Sequence, residues 1–425
     1  MLTPPKLYEF KGELRYSIYI FLALLLFRLF ISYHSYQEFI SKPFYFTDAT
    51  VIDSYTKHKN NYSYTVLKLL SDDGLHFFTT THAKKDFKDT KVRLQIFPND
   101  SISFGEYMSS FYVKSKLKST KTLPPTSQKT IANYITSQHT NSKMASFFSA
   151  IFLATPLDKS IREQISKLGV SHLVALSGLH LGLLWAFMYA VLLYPYRFLQ
   201  QRFFAYRYDM FDLGLIALIF LGYYVYMVGY PPSLLRAYGM LFFGWGVLVM
   251  GLELVSFEFL LTVVMVLLVV LPSLLFSIGF WLSVMGVFYI FLILSYTKEY
   301  DKKIVAFIIL PIGIYLLMQP IAHTIFGVTT LYQLASPLLS ILFTPFYIIS
   351  IFLHFIGVGG VFDNLLSNLL SLDIKSVDIT TPKWLILPYL LLSYKAIKDK
   401  KCFYALLVVA ILYSLVSVVL FYRYA

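Results

Sequence analysis

The residues best suited to chemistry lie in one apolar stretch, Lys167–Leu184, which reads KLGVSHLVALSGLHLGLL. Ser177 and His180 are three residues apart, so a helix would place them on one face, within hydrogen-bond reach. An ionisable residue inside an apolar span is costly and is commonly functional. The alternative is a neutral histidine bonded to a backbone carbonyl of a neighbouring helix. Two roles are open: a polar lining for a polar solute, or hydrolysis with Ser177 as nucleophile and His180 as base.

Arg236 is a second ionisable residue in an apolar setting, about one turn into the stretch that follows Pro231 and Pro232. An arginine there is costly unless it pairs or faces water. In a water-filled path, its guanidinium would attract phosphate by charge and by bidentate hydrogen bonding. The alternative is a side chain that snorkels to the lipid headgroups. Two further stretches, Leu271–Val287 and Ile321–Pro337, carry the proline and glycine interruptions of membrane elements that line cavities.

A run of spaced lysines is a third candidate, in this case for binding a polyanion. The run consists of Lys114, Lys116, Lys118 and Lys121. Aromatic residues precede it at Phe77, Phe78, Phe97 and Phe104. Cations interleaved with aromatic rings can bind single-stranded nucleic acid by charge and stacking. The alternative is a solvated small domain whose aromatic residues form its own core.

The segments around these lysines show the alternation of short β-strands. The alternating runs are Tyr45–Asp53, Tyr62–Leu70, Leu75–Thr81, Lys91–Phe97 and Ile102–Val113. Five strands at this spacing predict a small five-stranded barrel of OB type.

The rest of the chain is too apolar for a soluble protein. Of its 425 residues, 57% are hydrophobic and 14% are charged, against about 45–50% and about 25% in soluble domains. This composition excludes a soluble globular enzyme, a disordered scaffold and a fibrous repeat. It predicts a polytopic α-helical membrane protein with a small soluble β-barrel insert near the N-terminus. The net charge of +13 indicates basic cytoplasmic loops, an anionic cargo, or both.

Apolar runs of about the length of a membrane-spanning helix occur along the chain. The predicted spans are Leu14–Ile31, Leu173–Pro195, Phe211–Tyr230, Leu234–Leu252, Phe257–Leu271, Leu274–Ser295, Ile304–Ile321, Trp384–Ile397 and Phe403–Phe421. The first run lacks a cleavage site, which predicts a retained helix. Leu338–Ile356 contains Pro345, which predicts a broken or re-entrant element. Thr130–Ala154 is predicted to lie as one amphipathic segment against the membrane.

Basic residues outside the spans predict the orientation through the positive-inside rule. The cytoplasmic set is Lys6, Lys11 and Arg15 at the N-terminus, then Arg197, Arg202 and Arg207, then Lys298, Lys302 and Lys303, and finally Lys395, Lys398, Lys400 and Lys401. Counting spans from a cytoplasmic N-terminus agrees, provided that Leu338–Ile356 does not cross completely. The single span before Phe44 then places the β-rich insert on the outer face of the membrane.

The sequence lacks the usual signatures of nucleotide and metal sites. It contains no G-x-x-x-x-G-K-[ST] loop, no HExxH, no CxxC and no carboxylate cluster. Its nine histidines are scattered, and no pair has H-x-H spacing. We therefore expect no cofactor, no bound metal and no catalytic residue. The single cysteine, Cys402, excludes an intramolecular disulfide.

Taken in order, these segments resemble the competence domain of the ComEC family, the inner-membrane DNA-uptake channel of naturally transformable bacteria. GVSHLVALSGLHLGLL is similar to that family's G-h-s-H-l-l-A-h-S-G-l-H stretch, PPSLLRAYGM to its P-S-x-x-R-A-x-x-M stretch, and PSLLFSIGFWLSVMGV to its P-x-x-h-f-x-x-G-F-x-L-S stretch. The motifs cover about Ile131–Ser350, and the insert matches by architecture alone. The chain departs from the family in TTLYQLASPLL, which lacks an asparagine before the proline, and in the absence of cysteines from the insert.

The resemblance implies a channel that imports single-stranded DNA across the cytoplasmic membrane during natural transformation. The DNA path would include Ser177, Gly178, His180 and Arg236, and the insert would bind DNA at its four lysines. No H-x-H-x-D-H motif occurs, so we expect a short form without the family's metallo-β-lactamase-like domain. Separate motor and nuclease proteins would then be partners, beside membrane lipid, and a homo-oligomer stays open.

The resulting domain prediction has four parts. They are an N-terminal transmembrane helix (1–35), an OB-like extracytoplasmic domain (36–120), a linker with an amphipathic membrane-associated segment (121–170) and a competence-type channel domain (171–425). Two other functions stay open. One is an intramembrane serine hydrolase using Ser177 and His180, although the glycine of a G-x-S-G motif is missing before the serine. The other is a small-molecule secondary transporter, which would explain broken helices but usually shows internal repeats.

Overall fold

The chain folds into two units in this structure, a computed structural model that describes residues 5, 7–8, 11–59, 62–83, 87, 90–124, 126–251, 253 and 255–424. One unit comprises Tyr8–Thr130 and Thr262–Ile278, and the other is formed mainly by Ile131–Leu261 and Gly279–Ala425. Lys6 and Leu252, which were used in the sequence predictions, lie outside the described residues, as do Asn60 and Asn61 of the predicted OB-like domain and Pro125 of the predicted linker.

The first unit contains a long apolar helix followed by a sheet. Its elements are α1 (Lys11–Ser41), β1 (Tyr45–Lys59), β2 (Tyr62–Ser71), β3 (His76–Thr81), β4 (Thr90–Phe97), α2 (Phe104–Ser109), β5 (Phe111–Tyr112) and β6 (Lys114–Thr122), after which α3 (Ser127–Thr136) leads into the second unit. The strand order is β5-β3-β2-β1-β4-β6, and only the β3–β5 pair is parallel. Val92, Leu94 and Ile96 alternate into the core, as the two-residue period of a strand requires.

The sheet differs from the sequence prediction in two places. Ile102–Val113 is not one strand, because Ser103 and Glu106 form a capping box that starts α2 and leaves only Phe111 and Tyr112 in β5. The basic run, by contrast, forms strand β6 and pairs with β4. Among the described residues the six-stranded sheet has two edges, β5 and β6, and is not closed. The predicted OB-type barrel is therefore not shown.

Helices make up most of the chain after residue 141. The elements are α4 (Ser142–Leu153), α5 (Lys159–Lys167), α6 (Ser171–Val174), α7 (Gly178–Phe203), α8 (Asp209–Met227), α9 (Pro232–Val249), α10 (Phe257–Val270), α11 (Ile278–Tyr296), α12 (Lys302–Ile304), α13 (Leu310–Ala322), β7 (Val328–Thr329), α14 (Ser336–Phe355), α15 (Asp363–Leu370), β8 (Val377–Asp378), α16 (Ile386–Lys395) and α17 (Lys400–Tyr424). A π-helical turn at Val305–Ile309 connects α12 to α13, and β7 pairs antiparallel with β8.

The apolar helices make this a multi-pass membrane protein. Among the described residues, seven are long and apolar enough to cross a bilayer: Gly12–Ser41, Gly178–Phe203, Asp209–Met227, Ile278–Tyr296, Lys302–Ala322, Leu331–Phe355 and Lys400–Tyr424. The predicted spans at Leu234–Leu252, Phe257–Leu271 and Trp384–Ile397 correspond to the shorter helices α9, α10 and α16. The ten residues of α16 rise about 15 Å at about 1.5 Å per residue, half the thickness of a hydrocarbon core of about 30 Å.

Two further predictions are corrected by the helices. The segment predicted to break at Pro345 is α14, one helix of 20 residues. A membrane helix tolerates proline when its surroundings satisfy the freed carbonyl. Since α14 is long and apolar enough to cross, the condition attached to the span count is not confirmed, and the orientation stays a prediction. Thr130–Ala154 forms two helices rather than one amphipathic segment, and nearly every residue of α4 is buried because it is apolar on most sides.

Candidate functional site

Ser177 and His180 meet where the chain changes from an extended segment to a helix. The short helix α6 ends at Val174, Ser177 is extended, and α7 begins at Gly178. Ser177 is the N-cap of α7, and His180 stands at the third helical position. His180 Nδ1 accepts the Ser177 backbone N–H at 3.2 Å and lies 3.1 Å from the Ser177 hydroxyl. The predicted contact is present, with the serine before the helix rather than within it.

The His180 ring is completely buried against aromatic residues. Its exposed fraction is 0%, and it makes edge contacts with Tyr347 and Phe343 at centroid distances of 4.7 and 5.3 Å. Since Nδ1 accepts a backbone proton, the neutral ring carries its own proton on Nε2. That nitrogen is buried without a hydrogen-bond partner among the described residues. No carboxylate orients the ring from Nε2 in that part of the chain, as a hydrolytic triad would require.

The first of the four apolar stretches contacts the fourth. The Thr330 hydroxyl donates to the Lys167 carbonyl at 2.6 Å, and the Ser336 hydroxyl donates to the Gly169 carbonyl at 3.2 Å. Gly169 has a φ of +71°, and a Cβ there would lie 2.9 Å from Cγ of Gln333. Both the left-handed backbone and the close approach require glycine at this position.

The first stretch also contacts the second, which in turn contacts the third. A Cβ on Gly178 would lie 3.6 Å from that of Ala237, so α7 and α9 pack closely where they begin. Arg236 precedes Ala237, and its Nη1 lies 3.4 Å from where a Cβ on Gly279 would be. The predicted path residues thus lie at the starts of the neighbouring helices α7 and α9, and their place in a path stays a prediction.

Arg236 is a buried cation without a counterion in the part of the chain that the structure describes. Only 7% of the residue is exposed, and its Nε has no hydrogen-bond partner. No described carboxylate lies within salt-bridge distance. The guanidinium carbon lies 5.9 Å from the centroid of the Phe280 ring, a cation–π contact that compensates only part of the cost of burial.

The four lysines predicted to bind DNA are all exposed on β6. Lys116 aligns across the sheet with Gln95 of β4, which aligns with Phe46 of β1. The Lys116 ammonium lies 5.8 Å from the centroid of Phe97. This face therefore combines cations with two aromatic rings, of which Phe46 is exposed and Phe97 is half-buried. We name it the lysine face, consisting of Phe46, Phe97, Lys114, Lys116 and the adjoining Lys118, which lies at the register shift of β6 opposite Arg93 and Leu94.

Not every aromatic or basic residue nearby is available for binding. Phe77 is 1% exposed and stacks on Phe111, so for this residue the core interpretation is correct. Lys91, on β4, is held by Asp72 at 2.6 Å, and this hydrogen bond raises the pKa of its ammonium group. Lys91 is therefore already engaged by an acid, unlike the lysines of β6.

Sequence reasoning missed a polar cluster formed by His139, His354 and Asp363. His139 Nδ1 lies 2.8 Å from Asp363 Oδ1, and His139 Nε2 lies 3.0 Å from His354 Nε2. These residues are separated by more than 200 positions, and no local pattern links them. Within the described residues, no group of three or more side chains suited to hold a metal ion is found.

The fold and these sites define the class of protein. It is a multi-pass membrane protein that has a soluble sheet with a basic edge and, in its helical unit, buried ionisable residues. A family model described as "Competence protein" matches residues 154–422. The chain therefore belongs to the competence protein family (ComEC/Rec2-like), a membrane DNA-uptake family rather than an enzyme family. Neither a curated protein nor a solved structure matches the chain.

Proposed function

We propose that the chain passes single-stranded DNA across the cytoplasmic membrane during natural transformation. The observation that carries the proposal is Arg236, a buried guanidinium with no carboxylate partner among the described residues. A buried charge without a partner is destabilising, and an arginine inside a membrane segment is costly. The phosphate of a passing strand would supply the missing charge and accept bidentate hydrogen bonds.

The width of the cargo and the side chains near Arg236 both support a single strand as the cargo. A duplex is too wide for a small helix bundle, whereas a single strand carries one phosphate per nucleotide and can pass in extended form. Helices α7 and α9 lie next to each other at Gly178, where only small side chains line the contact, and Ser177 adds a hydroxyl at the same place. We propose that Ser177, Gly178, His180 and Arg236 line the path.

We further propose that the sheet unit acts as an OB-like module on the outer face of the membrane and receives the strand there. The support is the lysine face, where exposed cations share a sheet surface with the exposed Phe46 ring and the half-buried Phe97 ring. Force and cleavage would come from separate cytoplasmic motor and nuclease proteins, since the sequence has no phosphate-binding loop. A homo-oligomer is compatible with this arrangement.

Charge reversal at Arg236 tests the path. In a transformable host whose own copy is deleted, Arg236→Glu should lower the transformation frequency at least 100-fold, because a carboxylate repels each phosphate. DNA should accumulate outside the membrane. The variant must be present in the membrane fraction at the wild-type level. Arg236→Lys keeps the charge but loses the bidentate geometry, so it should retain partial uptake.

Arg197 is the matched control for this experiment. It is exposed and already paired with Asp209 at 3.0 Å, so Arg197→Glu should leave uptake unchanged. Wild-type transformation by Arg236→Glu, at normal membrane levels, would remove the arginine from the path. Loss of uptake in Arg197→Glu would show that any charge reversal is harmful.

One observation favours a second function, the serine hydrolase. The Ser177 hydroxyl lies within hydrogen-bond distance of His180 Nδ1. Ser177→Ala distinguishes the two functions, because the backbone N–H of residue 177 still reaches His180 in this variant. DNA uptake should persist if the serine only caps the helix. A hydrolytic activity that disappears in Ser177→Ala while uptake continues would favour the hydrolase.

A further inference from the structure

A chain of hydrogen bonds joins three separate parts of the helical unit. His139 lies in the turn between α3 and α4, His354 in the last turn of α14, and Asp363 at the start of α15. The bonds run from Asp363 Oδ1 to His139 Nδ1 (2.8 Å), from His139 Nε2 to His354 Nε2 (3.0 Å), and from His354 Nδ1 to the Ser350 carbonyl (2.7 Å). The His139 side chain is 0% exposed and that of Asp363 is 14% exposed.

The donors and acceptors of these hydrogen bonds determine how many protons the cluster must hold. The Ser350 carbonyl can only accept, so His354 Nδ1 must carry a proton. A second proton must lie between the two Nε2 atoms, and a third between Asp363 and His139. Two neutral imidazoles and an ionised carboxylate supply only two protons. The three bonds therefore close only when the cluster holds one additional proton, and its net charge is then zero.

The aromatic residues around the cluster make the state without the additional proton unfavourable. Without the additional proton, two nitrogen lone pairs would face each other at 3.0 Å. Phe148 stacks on the His139 ring at 4.6 Å, and Phe152 contacts the His354 ring edge-on at 5.0 Å, so these rings leave little room for water.

The other titratable groups nearby are tyrosines. They are Tyr134 of α3, whose hydroxyl lies beside Gly357, and Tyr347 of α14, two turns before His354. A neutral tyrosine hydroxyl contributes no charge near neutral pH. The histidines and Asp363 are therefore the groups that set the proton count of the cluster.

We propose that His139, His354 and Asp363 form a binding site for a single exchangeable proton. When this proton is bound, hydrogen bonds hold the turn before α4 against the end of α14 and the start of α15. Asp363 is the partly exposed member, so protons reach the cluster through its carboxylate. Release of the proton separates the two rings and opens the junction.

The linkage has a definite sign. The closed junction holds three protons. The opened junction holds two above about pH 6.5, the usual pKa of a free imidazole. Opening therefore releases one proton, and the opening constant rises up to tenfold per pH unit above about pH 6.5, as long as the closed cluster keeps its additional proton. Below about pH 6.5 the free imidazoles also bind protons, so the dependence reverses.

Asp363→Asn is a mimic of the protonated cluster. The asparagine amide can donate to His139 Nδ1, which leaves a proton on His139 Nε2 to donate to His354. At any pH above the pKa of free imidazole, the three hydrogen bonds then form without an additional proton. Gln138 provides the matched control, because its amide bonds the His354 carbonyl at 3.0 Å and the Gly359 N–H at 2.8 Å without titrating.

Hydrogen exchange of the full-length protein in lipid nanodiscs, read on peptides covering residues 137–144 and 355–365 between pH 7 and 9, tests the proposal. After correction for intrinsic rates, opening in the wild type should rise with pH, and opening in Asp363→Asn should stay flat. Gln138→Leu should raise opening by a constant factor and keep the pH dependence. His354→Phe, which keeps the aromatic packing, should open more and lose the dependence.

Equal pH dependence in the wild type and in Asp363→Asn would overturn the proposal. The same conclusion would follow if added Zn²⁺, rather than pH, controlled protection of the wild type, because the two histidines would then bind a metal ion. If Asp363→Asn does not accumulate, His354→Phe alone decides, since a persisting pH dependence in it would also refute the proton site.

Discussion

Replacing a glycine by alanine shows whether the structure requires glycine at that position. Gly169 combines a φ of +71° with a Cβ position only 2.9 Å from Gln333. Gly169→Ala should therefore destabilise the helical unit by about 2–4 kcal/mol, from backbone strain and overpacking together. Thermal unfolding in detergent measures the loss as a lowered midpoint.

Gly182 is the matched control at this scale. It lies in helix α7, and no atom lies within 4 Å of its Cβ position. Gly182→Ala should keep or raise the free energy of unfolding, by up to about 1 kcal/mol, because alanine favours the helix, and the midpoint should not fall. Equal losses in the two variants would mean that Gly169 is not held by its contact with Gln333.

Sequence spacing predicted local contacts between residues but not distant ones. Ser177 and His180 are close enough in the chain for the three-residue rule to bring them together, and their hydrogen bond is present. His139 and His354 are 215 residues apart, so only the packing of α4 against α14 brings their rings together. A single sequence contains no local pattern that would link two residues so far apart.

At the scale of elements, a short capping signal outweighed a strand pattern. Ile102–Val113 alternates like a strand, but Ser103 and Glu106 satisfy the first amides of α2 instead. The S-x-x-E spacing of Ser103 and Glu106 is itself a helix-start signal in the sequence, and it competes with the alternation. Strands β2, β3 and β4 were predicted to within one residue of their ends because alternation there reflects burial on one side of the sheet, whereas β1, predicted as Tyr45–Asp53, continues to Lys59.

The same capping box should make α2 sensitive to acid. Hydrogen bonds from the Ser103 backbone N–H and hydroxyl lower the pKa of Glu106 below its ordinary value. Its stabilising effect is therefore present above the unfolded pKa, about 4.3, and is lost as pH falls through the lower folded pKa. Hydrogen exchange on residues 103–112 should show protection that declines in that acidic range.

Two variants check this assignment. Glu106→Gln should remove the acid dependence from the segment, and Ser103→Ala should cost about 1 kcal/mol at neutral pH as a lost N-cap. Glu163→Gln, an exposed acid of α5, should leave residues 103–112 unchanged. An acid dependence that survives Glu106→Gln would assign it to another group.

Strand β6 should control the salt dependence of DNA binding. Replacing Lys114, Lys116 and Lys118 by glutamine removes three cations from the lysine face. With a slope of about −0.7 per phosphate contact for single strands, the plot of log affinity against log salt should become shallower by about 2. Fluorescence anisotropy of a labelled oligonucleotide with the full-length protein gives this slope.

The control neutralises three exposed lysines elsewhere, Lys298, Lys302 and Lys303. That variant should keep the wild-type slope if the lysine face is the binding surface. An unchanged slope in the β6 variant, or an equal change in the control, would place the DNA on another surface.

At the scale of the whole molecule, composition predicted a multi-pass membrane protein, while hydropathy alone could not fix which segments cross. The segment with Pro345 is one unbroken helix, and α16 is shorter than its apolar run suggested. Both errors concern helix ends and kinks, which depend on neighbouring helices rather than on the segment's own residues. The four-part domain division stays a prediction.

Orientation can be tested with single cysteines in a Cys402→Ser background. Ala83 is exposed in the sheet unit, and Gln201 is exposed at the end of α7 beside the first predicted cytoplasmic arginines. Ala83→Cys should react with a membrane-impermeant maleimide in cells with permeabilised outer membranes, and Gln201→Cys should react only after lysis. The reverse pattern would invert the proposed orientation.

The position of β6 at the edge of an open sheet has a consequence for solubility. An unpaired strand edge offers its backbone hydrogen bonds to any other strand, and lysines along the edge discourage such pairing. The same side chains that we propose to attract DNA thus keep copies of the sheet from joining edge to edge. Removing them would create an aggregation-prone surface, so selection for solubility and selection for binding would preserve the same residues.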